Sequence, residues 1–126
     1  MIRYLYNRQF TPPAPLIHVT LRCPISGTEI ANLPAQLDTA ADRTVIPANY
    51  VAQLAIVRVR ELSIEGLGRN VRLMPTYVIQ VGIHDYPPKA IEALADNDEP
   101  FVLLGRDILN QYRILLDGPK LALEIE

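Results

Sequence analysis

Residues 34–46 read Pro-Ala-Gln-Leu-Asp-Thr-Ala-Ala-Asp-Arg-Thr-Val-Ile. An apolar approach ends at Leu37, Asp38-Thr39-Ala40-Ala41 follows, and Val45-Ile46 is apolar again. Carboxyl and hydroxyl groups set between apolar runs mark a loop pressed against a core. A second fragment, Phe101-Val-Leu-Leu-Gly-Arg-Asp-Ile-Leu109, is an all-apolar run followed by a Gly-Arg step. Such a run reads as a strand buried on both faces.

Outward from these fragments the chain is mostly β. Ile17, Val19, Leu21 and Cys23 alternate with His18, Thr20 and Arg22, the pattern of a half-buried strand. Residues 24–28 are turn chemistry, and residues 30–37 return toward Asp38 as the second arm of a hairpin. Residues 48–54 read as a short helix with Pro47 near its first turn. Val57 and Val59 alternate until Arg60-Glu61, where the apolar parity slips to Leu62 and Ile64. A one-residue slip turns every side chain over, so a bulge is expected there. Gly66-Leu67-Gly68 is a glycine turn between that strand and a long alternating one, interrupted at Pro75 and ending near Ile83. The two make a projecting hairpin. Residues 84–100 read as a loop region, with Ala90–Ala95 suited to one helical turn. Arg106–Tyr112 reads as a short helix, and strands at 113–116 and 121–125 flank the Asp117-Gly118 turn. Residues 1–15, broken by Pro12, Pro13 and Pro15, form an N-terminal arm, either lying on the surface or forming a strand exchanged with a second subunit. The βαβ crossovers of a parallel doubly wound sheet are missing. The expected fold is all-β: one domain, residues 1–126, built as a small closed barrel with one or two short helices.

Composition narrows the function. A chain of 126 residues with 49% apolar content supports one packed core without a metal or disulfide staple. The net charge of −2, with ten Arg and two Lys scattered among the acids, argues against a nucleic-acid partner. Cys23 stands alone, which excludes an intrachain disulfide and favours a reducing, cytoplasmic location. No stretch approaches the ~20 apolar residues of a membrane helix, so no membrane partner is expected. His18 and His84 are too few and too far apart in sequence to suggest a metal site. Gly-x-Ser-x-Gly and His-Glu-x-x-His are both absent.

Together the two fragments, in this order and on a β chain with a glycine-tipped hairpin between them, resemble the retropepsin-like aspartic proteases, single-lobed relatives of pepsin. The resemblance covers roughly residues 16–126. It implies that Asp38 is the catalytic acid and that Thr39 braces paired loops across a dimer axis. It implies that Ala40 and Ala41 hold substrate through their backbone, and that Asp42 pairs with Arg106 to support the site. Gly66, Leu67 and Gly68 match the tip of a flap that closes on substrate. Leu103, Leu104 and Gly105 match the strand threaded behind the active-site loop.

Carboxylate-driven peptide hydrolysis needs two carboxyls around one water, and a lobe of this size supplies one. The expected solution is a homodimer in which two Asp38 residues meet on a two-fold axis and act on a peptide or protein substrate with no metal or organic cofactor. Ala40 departs from the resemblance, because the family normally has Gly there. A methyl group crowds a close backbone approach. The second reading is therefore a dimeric peptide-binding or scaffold domain on the same fold, weak in catalysis.

Overall fold

The computed structural model describes residues 1–126 apart from the side chain of Leu67. The chain opens with a strand, β1 (Ile2–Leu5), where the sequence leaves open a surface arm or a strand exchanged with a second subunit. This strand pairs antiparallel with the last strand of its own chain, and Ile2 and Tyr4 pack against the core. β2 (Leu16–Arg22) keeps the alternation read from the sequence: Ile17, Val19 and Leu21 are buried, His18 and Arg22 exposed. A turn containing Gly27 at φ +76° leads into β3 (Glu29–Leu37). After the Asp38 loop come β4 (Val45–Pro47) and helix α1 (Asn49–Leu54), whose Leu54 is fully buried. The long hairpin consists of β5 (Arg58–Glu65) and β6 (Val71–Gly82), with a register shift between Arg58 and Arg60 beside the expected bulge. β7 (Lys89–Asp96), β8 (Val102–Leu104), helix α2 (Arg106–Leu109), β9 (Ile114–Asp117) and β10 (Ala122–Ile125) complete the chain.

β7 replaces the expected loop and helical turn at residues 84–100. Ala90, Ala93 and Ala95 carry helical propensity, but β7 is flanked by β6 on one side and β4 on the other. Ala93 is fully buried and Leu94 and Ala95 nearly so. Burial and two ladders of hydrogen bonds outweigh propensity differences of well under ~1 kcal/mol per residue. Pro75 does not interrupt β6. It lies just before Thr76, the first residue of β6 paired with β7, where β6 has β5 alone as its partner.

Six strands close into a mixed barrel in the order β2-β3-β8-β4-β7-β6, with β6 returning to β2 and β5 hanging on the outer side of β6. The closed all-β architecture with two short helices is the one expected. A second sheet, ordered β1-β10-β9, packs Leu123 and Ile125 into the same core as Ile17, Ile46, Ile79 and Leu104. Each such fully buried side chain contributes about 1.5–3 kcal/mol relative to exposure. The pairing that matters most for function is parallel: β3 runs beside β8 with Leu37 opposite Leu104. Parallel neighbours end on the same side, so the loop after β3 and the Gly-Arg step after β8 emerge together.

Candidate active site

That coincidence of strand ends builds the site. The backbone N–H of Asp38 donates to the carbonyl of Leu104 at 2.9 Å, extending the β3–β8 pairing by one residue. The N–H of Arg106 donates to the carbonyl of Ala41 at 2.9 Å. The Arg106 guanidinium donates through one nitrogen to the carbonyls of Thr39 (2.9 Å) and Ala40 (3.0 Å). Within the loop, the N–H of Ala40 donates to Asp38 Oδ1 at 3.1 Å, and the N–H of Ala41 reaches the Asp38 carbonyl at 3.3 Å. The carboxyl is thereby held by its own loop. Asp38 and Ala41 are half-buried, while Thr39 and Ala40 are exposed.

A second set of contacts fixes the far end of the loop. Thr44 is fully buried, and its hydroxyl donates to Asp107 Oδ1 at 2.7 Å while accepting the N–H of Gly105 at 3.1 Å. The N–H of Thr44 donates to Asp107 Oδ2 at 3.0 Å. Neither Thr44 nor Asp107 stood out in the sequence, since a Thr before a strand and an Asp in a helix's first turn are ordinary. Their partnership exists only because the fold brings α2 back onto the loop. We expect Thr44→Val, which keeps the shape and removes the hydroxyl, to cost about 2–3 kcal/mol in urea unfolding, because it strands the buried Gly105 N–H and leaves Asp107 Oδ1 with the Ile108 N–H alone.

The expected Asp42–Arg106 pair is not formed. Arg106 is committed to the Thr39 and Ala40 carbonyls, and Asp42 is exposed, lining an open cleft with Arg43, Ile91, Glu92 and Asp107. The acid that ties α2 to the loop is Asp107. Ala40 is not among the residues with positive φ, so its methyl adds no backbone strain within the chain. Gly66 and Gly68 lie at the end of the β5–β6 hairpin, where the Gly66 N–H donates to the Asn70 carbonyl at 2.9 Å. Gly68 has φ +74°, the left-handed region that favours glycine. The side chain of Leu67 lies outside the described residues. Among the described residues, no hydrogen bond joins this hairpin tip to the Asp38 loop. His18 and His84 are exposed and line one open cleft with Tyr4, Asn32 and Asp85. Glu99, missed in the sequence, lies within electrostatic reach of Asp38. Burial pushes its carboxyl above the usual range, and the charges of Asp96 and Asp38 add to the rise.

The retroviral aspartyl protease family matches residues 12–117 of this sequence. No curated protein sequence matches it. Among solved structures, an EIAV protease in complex with an inhibitor is similar at 24% identity, covering 78% of this chain and 86% of that one, with a TM-score of 0.57. A retropepsin-like aspartic protease from Rickettsia conorii is similar at 15% identity, covering 99% and 91%, with a TM-score of 0.63. The retroviral protease-like domain of Ddi1 from Leishmania major is similar at 14% identity, covering 88% of each chain, with a TM-score of 0.51. With an acid-bearing loop locked to an apolar-Gly-Arg segment and a family match spanning most of its length, this chain belongs to the retroviral aspartyl protease family.

Proposed function

We propose that the protein is a homodimeric aspartic endopeptidase that hydrolyses peptide bonds through a water held between two Asp38 carboxyls. The observation that carries this reading is the Asp38 loop itself. The Asp38 carboxyl sits half-buried on a loop fixed to its surroundings at Leu104, Gly105 and Arg106, and the ion pairs among the described residues do not include it. One such group cannot both activate a water and protonate a leaving amine. Two copies facing each other can, because like charges about 3 Å apart cannot both ionise and share one proton between them. A peptide would lie extended beneath the two hairpins and pair with them through its backbone, as in strand addition. Thr39 is exposed beside Asp38, which supports a role for its hydroxyl in bracing a partner loop. Cys23, buried and free, suits the reducing interior of a cell.

The test is cleavage of an unstructured protein substrate at mildly acidic pH, inhibition by a statine-type mimic of the tetrahedral intermediate, and the sedimentation mass of the active species. Cleavage without inhibition, or by a monomer, would overturn the reading.

Ala40 favours the second reading, a dimeric peptide-binding domain with weak catalysis. Ala40→Gly separates the two. The Ala40 side chain is exposed and its φ is unstrained, so we expect the variant to change kcat/KM by less than about tenfold, or ~1.4 kcal/mol. A silent wild type that begins to cut once Ala40 is Gly would instead establish a binding domain descended from a protease.

A further inference from the structure

The β5–β6 hairpin leaves the barrel early. From Val71 to Pro75, β6 is paired with β5 and with no other strand. Backbone pairing therefore does not fix its angle to the barrel wall. Side chains from β7 reach both of its strands. Glu92 receives a two-pronged bond from Arg60 of β5, Nε to Oε2 at 2.7 Å and the terminal nitrogen to Oε1 at 3.0 Å. The hydroxyl of Thr76 on β6, itself fully buried, donates to Glu92 Oε2 at 2.7 Å. Arg43, on the active-site loop between Asp38 and β4, donates to the Glu92 carbonyl at 3.2 Å and stands 3.8 Å from its carboxylate. Farther out, Arg72 of β6 grips Asp96 at 3.1 and 3.3 Å.

We infer that Glu92 and Asp96 form a two-point ionic anchor that sets the resting position of the hairpin against the barrel, making both positioning residues for substrate entry. The inference rests on the protease reading for its effect on turnover, and on geometry alone for its effect on the hairpin. Exposed ion pairs contribute little as a rule. Here the carboxylates are the sheltered partners, with side chains 23% and 13% exposed, and the Glu92 contact is forked and shared with a buried hydroxyl.

The anchor also suits acidic conditions. The bonds from Arg60 and Thr76, helped by the charges of Arg60 and Arg43, hold the Glu92 carboxyl down at about 2. Burial works against the charge on Asp96, but the Asp98 N–H and Arg72 outweigh it and keep that carboxyl below its usual range. The acids nearby are Asp42 and Asp107 in the cleft beside Glu92, and Asp98 and Glu99 after Asp96. A carboxyl depressed on folding contributes stability above its unfolded value, and that contribution is lost as pH falls through the folded one. For Glu92 the loss comes near pH 2, so the anchor stays ionised where an acid-driven dyad works.

The test is hydrogen exchange of residues 62–74 in wild type, Glu92→Gln and Arg60→Lys at pH 4 and pH 6, beside steady-state cleavage. Glu92→Gln is expected to speed exchange of the hairpin about tenfold at both pH values and leave β2 and β3 unchanged. In cleavage, KM should rise severalfold with kcat nearly constant. Arg60→Lys keeps the charge, loses the fork, and should fall between. Its side chain is exposed, so it tests the anchor even if Glu92→Gln fails to fold. Exchange identical to wild type in both variants, or faster exchange spread evenly over the chain, would overturn the anchor. Exchange is read without substrate, so a wild type that cuts nothing would sink the protease reading while leaving the anchor to be judged on its own.

Discussion

Asp38→Asn is expected to abolish peptide hydrolysis, with a loss of at least about 10³–10⁴ in kcat, and to leave the fold intact. The second half of this expectation follows from the loop. Asp38 is held by its backbone N–H to Leu104 and by Oδ1, which accepts the Ala40 N–H, and an asparagine oxygen accepts that bond as well. The variant should therefore melt within a few degrees of wild type, and the loss should be one of chemistry. The sharper form of the experiment mixes the two chains. If each active unit needs two Asp38 carboxyls, refolding equal amounts of wild type and variant together leaves about a quarter of the activity, because only dimers of two wild-type chains work. If each chain acts alone, half survives. A value near one half would refute the shared dyad even with Asp38 still essential, and full activity in the pure variant would remove Asp38 from the mechanism.

What the sequence disclosed about this protein divides along the range of the interactions involved. β2 was legible because burial of one face prints directly as alternation at Ile17, Val19 and Leu21. The slip at Arg60-Glu61 was legible for the same reason. The two fragments around Asp38 and Gly105 were legible because each packs apolar residues beside a polar break, and their order matched a known family. β7 was not legible, because its sequence carries no clean alternation and its strand character comes from its place between β6 and β4, the second of them distant in sequence. β1 was only half legible, as an arm or an exchanged strand, because Arg3 and the prolines after it blur the pattern, and it is a strand of its own sheet because Ile2 through Leu5 find Ile125 through Ala122. The same holds within the site. The loop bearing Asp38 was located, but its lock, Thr44 with Asp107, joins residues 63 positions apart through groups that look ordinary where they stand. The expected Asp42–Arg106 pair failed because Arg106 finds two nearer acceptors in the Thr39 and Ala40 carbonyls.

Gly105→Ala is expected to be the most damaging single-methyl change in the chain. The need for glycine here is one of space and not of conformation, since φ is −85°, a value any residue adopts. A Cβ at this position would lie 2.5 Å from the carbonyl carbon of Arg43, 2.7 Å from its oxygen and 2.9 Å from the nitrogen of Thr44. All three are backbone atoms, so no rotamer change makes room and the active-site loop must move away from β8 and α2. That movement pulls on the Gly105–Thr44 and Thr44–Asp107 bonds, which together lock the loop. Overpacking of this kind costs about 1–3 kcal/mol, and the weakened lock adds to it, so a total near 3 kcal/mol or more is expected. For a chain of this size that lowers Tm by roughly 10 °C. Activity should fall further than stability, because a displacement of about 1 Å at the reacting groups costs on the order of 10² in rate. Gly66→Ala is the control, since a Cβ there meets nothing closer than the Asn70 carbonyl at 3.9 Å. It should leave Tm within about 2 °C, as surface substitutions away from special features usually do. If Gly105→Ala proved as mild as Gly66→Ala, the close seating of the Asp38 loop on the apolar-Gly-Arg segment would be wrong.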